Sequence, residues 1–306
     1  MRFSLVAAAA LAATPAVVCA AKGTMGFALG TKMANGQCKT QQDYEADFDA
    51  IKFQSDATMV RGYSAADCDM AKHALAAAKA KGFKVMLGIW PDVEASFKRD
   101  LAAVIAVASS YPGTLYAVTV GSETLYRRNF TGAELADKIS TVKAQLPEGV
   151  KVGTADTWNR IADGTANAVL GVSDILLINA FAFWQGAARN DAPRILFDDM
   201  AQAVRRVESE LKGDKDKIPE IWGGETGWPT SSDSHYEDAV GGLDNARYYY
   251  QHGYCGIVNW GYNAFYFEAF DELWKPMSVG KNGHAADETT WGAMTADRKA
   301  KFSLKC

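Results

Sequence analysis

Thr114-Leu115-Tyr116-Ala117-Val118-Thr119-Val120-Gly121 decides the fold by its place in a repeating alternation of strand and helix. The run is apolar and rich in β-branched residues, which reads as a buried strand. Behind it, Leu135, Ile139, Val142 and Leu146 fall on one face of an amphipathic helix. Thr131, with Glu134 three residues on, has the form of a capping box opening that helix. Lys151–Thr157 is then strand again. Outward in both directions the alternation recurs. Residues 25–30, 58–63 and 84–90 read as strands on one side, and 174–181, 220–224 and 256–262 on the other. Val93, Phe97, Leu101, Val104, Ile105 and Ala108 give a second helical face. Leu196, Met200, Val204, Val207 and Leu211 give a third, with Pro193 in its first turn.

Eight strands alternating with helices imply parallel pairing through helical crossovers. Without its first twenty residues the chain has about 286 residues, or about 36 per unit, a normal size for an α/β protein of the (β/α)₈ TIM-barrel class. The alternative is a doubly wound open sheet. That fold announces itself with a G-x-G-x-x-G turn, and Gly26-Phe27-Ala28-Leu29-Gly30 does not match it. No P-loop and no linker composition interrupts the chain, so a single domain over 21–306 is expected.

Residues 1–20 read as a removable secretory signal. Arg2 is a positive n-region, the run 3–18 is uncharged and apolar, and Val18-Cys19-Ala20 supplies small residues for cleavage. The run is short for a membrane span, and no hydrophobic tail follows at the C-terminus, so no membrane anchor is expected. Cleavage removes Cys19 and leaves Cys38, Cys68, Cys255 and Cys306. An even number in a secreted chain suggests two disulfides, with three possible connectivities. Cys38 follows the first strand and Cys68 the second, on neighbouring top-face loops. Cys255 stands at the barrel bottom, where Cys306 could return. Cys38–Cys68 and Cys255–Cys306 are therefore expected. Asn129-Phe130-Thr131 is a glycosylation acceptor on a surface loop. With 32 Lys plus Arg against 36 Asp plus Glu there is no basic excess, so nucleic acid is not an expected partner. His73, His235, His252 and His284 have no metal-ligand spacing, and no cofactor signature is present. A monomer without cofactor or metal is expected.

In a (β/α)₈ barrel the chemistry sits at the C-terminal strand ends. Reading those ends gives Tyr63, Trp90, Glu123, Trp158, Asn179, Phe181, Glu225 and Trp228, with Trp260 and Tyr262 in the last strand. Glu123 ends the fourth strand and Glu225 the seventh, each with a glycine within two residues upstream. A solvated loop carboxylate, or one paired with Arg127, would explain either Glu alone. Two across one barrel mouth form the apparatus of glycoside hydrolysis, one acid to protonate the leaving oxygen and one carboxylate to attack the anomeric carbon. Trp and Tyr faces stack on the C–H faces of pyranose rings, and core packing is the alternative for each aromatic.

Val120-Gly121-Ser122-Glu123-Thr124-Leu125-Tyr126-Arg127 and Gly223-Gly224-Glu225-Thr226-Gly227-Trp228-Pro229-Thr230 resemble glycoside hydrolase family 17. They are most similar to its fungal secreted branch of cell-wall β-1,3-glucanases and glucanosyltransferases. The stretch from Asn259 to Lys275 resembles that branch too. The resemblance implies retention on β-1,3-glucan, with Glu123 as acid/base and Glu225 as nucleophile. It also implies a substrate role for Tyr126, and a supporting role at the rim for Glu268 and Lys275. Many relatives carry Asn before the acid/base, where it holds the sugar 2-OH; Ser122 stands there in this chain. The paired roles require Glu225 ionised among hydrogen-bond donors, and Glu123 raised in pKa by that charge and by burial. Hydrolysis and transfer to a second glucan both remain open. So do a non-catalytic glucan-binding wall protein and a retaining enzyme for another β-glycan.

Overall fold

The computed structural model describes residues 21–276, 278–279 and 285–306, with only the backbone for 278–279 and 285–286. The signal reading over 1–20, Cys19 and His284 lie outside the described residues. Eight parallel strands close into a barrel. They are β1 (Met25–Ala28), β2 (Met59–Arg61), β3 (Lys84–Ile89), β4 (Leu115–Ser122), β5 (Lys151–Thr157), β6 (Ile175–Asn179), β7 (Glu220–Thr226) and β8 (Asn263–Tyr266). The seam is short but complete: Gly26 pairs with Met59 on one side and with Phe265 on the other.

The helices are α1 (Gln41–Gln54), α2 (Met70–Lys81), α3 (Glu94–Ala108), α4 (Gly132–Lys143), α5 (Trp158–Ala162), α6 (Asn167–Leu170), α7 (Ala192–Glu210), α8 (Leu243–Tyr249) and α9 (Cys255–Asn259). Thr131 and Glu134 form the expected capping box on α4, and Thr40 with Asp43 forms another on α1. Buried Leu135, Ile139 and Val142 turn inward on α4, as their spacing requires.

The eighth strand lies later than residues 256–262. A π-helical turn, Tyr250–Tyr254, joins α8 to α9, and Ile257 and Val258 belong to that helix. Tyr250, Tyr254, Ile257 and Val258 are all fully buried, at the i, i+4, i+7, i+8 spacing of one helical face. Two β-branched residues in a short apolar run do not distinguish strand from helix; burial against the barrel wall does. Trp260 and Tyr262 therefore precede β8 at the bottom of the barrel. Trp260 is 66% exposed and packs on Phe197 of α7.

The core has two parts. Inside the barrel lie Met59, Met86, Ala117, Ala155, Ile175, Leu177, Trp222 and Phe265, with Trp222 stacked on Phe265 at 5.0 Å. Truncating so large a buried ring costs about 3–5 kcal/mol. Below them Glu220 takes hydrogen bonds from Tyr116 and Trp222 and pairs with Lys151. The second part fills the shell between strands and helices. Disulfides join Cys38 to Cys68 and Cys255 to Cys306, each with Cα atoms 5.2 Å apart. The first ties the loops after β1 and β2; the second fastens the C-terminus beneath the barrel.

Candidate active site

Both key strands carry an extra residue just before their glutamate. On β4, Thr119 pairs with Gly153 and Ser122 with Ala155, three steps against two. On β7, Gly223 pairs with Ile178 and Glu225 with Asn179, two steps against one. Such bulges re-aim a side chain. Glycine makes both possible. Gly121 has φ +84°, and a Cβ on Gly224 would stand 2.5 Å from Asn179 Oδ1.

Glu225 is 8% exposed and sits beside a cation that is absent from the strand-end residues read from the sequence. Arg61, the last residue of β2, is 1% exposed. Its Nη1 donates to Glu225 Oε1 at 2.9 Å and to the Gly224 carbonyl at 2.9 Å. Its Nη2 donates to Ser122 Oγ at 3.1 Å, and that hydroxyl donates on to Glu225 Oε1 at 3.2 Å. Ser122 therefore holds the β7 glutamate in this structure. The signal for Arg61 was present in Met59-Val60-Arg61, an apolar strand closed by a charge, the same pattern that singles out Glu123 and Glu225.

Glu123 stands one residue beyond β4 with φ +59°. Asn179, 1% exposed at the end of β6, donates from Nδ2 to Glu123 Oε1 at 3.1 Å, and its Oδ1 faces Arg61 at 3.4 Å. One chain of contacts thus links the two glutamates. Burial, and then the negative charge of Glu225, push the Glu123 carboxyl up to about 7, against the Asn179 hydrogen bond. It holds a proton where an ordinary glutamate would not.

The other expected residues divide into four groups. Tyr63, Trp90, Tyr126, Trp158 and Phe181 lie at the same end, partly exposed. The Tyr63 ring lies 4.9 Å from the Arg61 guanidinium, and the Trp90 ring 4.8 Å from that of Arg127. Trp228 is at the right end but has no exposed surface. It packs against Phe183 and Tyr249, and its Nε1 donates to the Val240 carbonyl. Its part is to brace the loop after β7, with no face open for a sugar. Trp260 and Tyr262 are at the opposite end.

Glu268 and Lys275 form a closed cluster beside β1 and β8. Lys275 Nζ lies 2.7 Å from Glu268 Oε1 and 3.0 Å from Glu272 Oε2. Burial, then the charge of Glu272, raise the Glu268 carboxyl well above the carboxylate range. Glycine at position 30 makes room: a Cβ there would fall 1.6 Å from Glu272 Oε1.

The sequence model of the BtgE/BtgC glycoside hydrolase domain matches residues 26–292. The chain belongs to this glycoside hydrolase family. Among full-length relatives, a glucan 1,3-beta-glucosidase of Arthroderma benhamiae is 52% identical, the alignment covering 100% of this chain and 98% of that one. A glucan 1,3-beta-glucosidase of Saccharomyces cerevisiae is 37% identical, over 100% and 99%. Among solved structures, the glycoside hydrolase family 17 β-1,3-glucanosyltransferase of Rhizomucor miehei superposes with a TM-score of 0.78 at 26% identity, over 92% of this chain and 98% of that one. An active-site mutant of the same enzyme, in complex with laminaritriose, superposes equally well. In this glycoside hydrolase, then, the Glu123–Asn179–Arg61–Glu225 chain occupies the end of the barrel where the chemistry of the fold is done.

Proposed function

We propose that the chain is a secreted retaining glycosidase and transglycosylase of β-1,3-glucan that remodels cell-wall glucan. The observation that carries this is the opposed environment of two carboxyl groups at one barrel mouth. Glu225 is paired with Arg61, as an ionised nucleophile needs. Glu123 is pushed up to about 7, as a general acid needs near neutral pH. In the first step Glu123 protonates the leaving glycosidic oxygen while Glu225 bonds to the anomeric carbon. Covalent capture cancels the charge of Glu225, so Glu123 loses its proton more readily. It then serves as base for the incoming water or sugar hydroxyl. The names carried by the sequence relatives and by the Rhizomucor miehei enzyme support β-1,3-glucan as the donor.

Residues 1–20 serve in this reading as the secretory signal, the mature domain runs from 21 to 306, and Asn129 carries a glycan. The enzyme works as a monomer. Among the described residues no helix is long and apolar enough to cross a membrane. Transfer to a second glucan competes with hydrolysis, a reading favoured by the structural likeness to a glucanosyltransferase. Mass analysis and anomeric NMR of the products from laminaripentaose test all of this together. Products longer than the donor report transfer, and a β-configured first product reports retention. Absence of turnover on laminaripentaose, with turnover on cello- or manno-oligosaccharides, would replace the donor; no turnover on any of them would leave a binding protein.

A further inference from the structure

We infer that Asp156 is a positioning residue for the acid/base: its buried carboxylate clamps the turn that holds Glu123 in place. The inference rests on the role proposed for Glu123. Asp156 is the penultimate residue of β5 and is 0% exposed. Its carboxylate collects three backbone N–H groups, two of them from the chain that follows β4. Leu125 donates to Oδ2 at 2.8 Å, and Tyr126 and Thr157 donate to Oδ1 at 3.2 and 2.9 Å. One residue earlier, the Ala155 carbonyl accepts the N–H of Glu123 at 2.9 Å. Two consecutive residues of β5 therefore grip the chain at 123, 125 and 126.

That grip has a job. Glu123 has φ +59°, a conformation costing a non-glycine residue on the order of 1 kcal/mol or more. Gly121, at φ +84°, provides the bend before it. The turn closes behind it with Arg127 N–H on the Glu123 carbonyl at 2.9 Å. A turn of this kind exposes its first N–H groups, as a helix start does. Asp156 satisfies them from another strand and so fixes the left-handed residue from the outside. Burial pushes the Asp156 carboxyl up to about 6, against the three N–H groups and the charge of Arg127, which itself pairs with Asp92 at 3.1 Å; above that pH the carboxyl carries a negative charge. The same charge also adds to the forces that keep the proton on Glu123, behind burial and Glu225.

Asp156→Asn keeps the shape, removes the charge and turns one acceptor into a donor facing an N–H. The test compares kcat/KM for a laminari-oligosaccharide, whose leaving group needs protonation, with that for a dinitrophenyl β-laminaribioside, whose leaving group does not. Wild-type turnover of the oligosaccharide is measured first; its absence overturns the proposed function and leaves the clamp to be judged by exchange alone. In the variant the oligosaccharide value should fall roughly 10–100-fold through kcat, in line with losing much of a general acid. The dinitrophenyl value should stay within about threefold, and the basic limb of the oligosaccharide profile should move to lower pH by on the order of half a unit. Hydrogen exchange at Leu125 and Tyr126, slow in the wild type, should quicken in the variant. Equal loss on both donors with an unmoved basic limb would make Asp156 a structural residue only, and rapid wild-type exchange at both amides would remove the clamp. Asp156→Ser leaves room for a water to take the N–H groups, and carries the same readouts if the amide variant does not fold.

Discussion

Arg61 Nη1 sits 2.9 Å from Glu225 Oε1, and the two side chains are only 1% and 10% exposed. The guanidinium is held on several sides, by the Gly224 carbonyl, Asn179 and Ser122 as well as the carboxylate. A planar fork can serve all of these at once; an ammonium cannot. Arg61→Lys should therefore lower kcat by roughly 10²-fold, since it misplaces the partner of the carboxylate proposed as nucleophile. Arg61→Met leaves Glu225 buried without its cation and should cost about 3–5 kcal/mol of stability. Steady-state kinetics and calorimetry on the two variants check this.

The proton on Glu123 couples stability to pH. An unfolded glutamate titrates near 4.5, whereas Glu123 in the fold titrates near 7. Between those values the folded chain binds a proton that the unfolded chain has lost. Its contribution to stability is complete below 4.5 and is lost as pH rises through 7. Glu123→Gln cannot ionise and escapes that loss. Relative to wild type, its melting temperature should rise from pH 4.5 to pH 8, even though its activity on oligosaccharides should be lost. A constant difference between the two proteins across that range would contradict the assignment.

Much of this was legible in the chain because burial writes itself into composition. Helix α4 has a single-period apolar face and a capping box, and strand β5 has the bounds Lys151–Thr157 that the chain suggests. The eighth strand is hard to place from sequence because a helix buried on most of its surface loses its polar stripe. Ile257 and Val258 then look like strand residues, and Trp260 and Tyr262 go to the wrong end of the barrel with them. Glu123 and Glu225 were legible because a charge has no structural reason to close an apolar strand. Arg61 obeys the same logic. Trp228 shows the limit: its neighbours Phe183 and Tyr249 come from distant parts of the chain, so its burial is decided by tertiary packing that no local pattern encodes.

Gly224 is a tight point of the site. A methyl group there would meet Asn179 Oδ1 at 2.5 Å and Leu177 Cβ at 2.9 Å, with Arg61 Nη1 at 3.3 Å. Leu177 is fixed inside the barrel, so the strain falls on Asn179, which carries the link to Glu123. Gly224→Ala should fold with a loss of about 1–3 kcal/mol. Its kcat on oligosaccharide should drop more than its KM rises. Gly36→Ala provides the contrast, because nothing stands within 4 Å of a Cβ there. Its φ of +81° makes the change cost stability without touching the site.

The two glutamates are separable by the stereochemistry of chemical rescue. On the proposed roles, Glu225→Ala removes the group that bonds to the anomeric carbon, so no covalent intermediate should form on any donor. Azide can enter the space left behind and attack from that same side. With a dinitrophenyl β-laminaribioside the product should be the inverted α-glycosyl azide. Glu123→Ala leaves Glu225 and its Arg61 partner intact. The dinitrophenyl leaving group departs without protonation, so Glu225 is still glycosylated. Azide, which needs no base to activate it, then attacks the intermediate from the opposite face, and the product should be the retained β-glycosyl azide. Rescue on a natural oligosaccharide should fail in the Glu123 variant, because its leaving group still waits for a proton. NMR of the anomeric proton distinguishes the two azides. The reverse pattern, inversion with Glu123→Ala and retention with Glu225→Ala, would exchange the two roles. It would also leave Arg61 paired with the acid/base, where its positive charge favours losing the very proton that residue must donate.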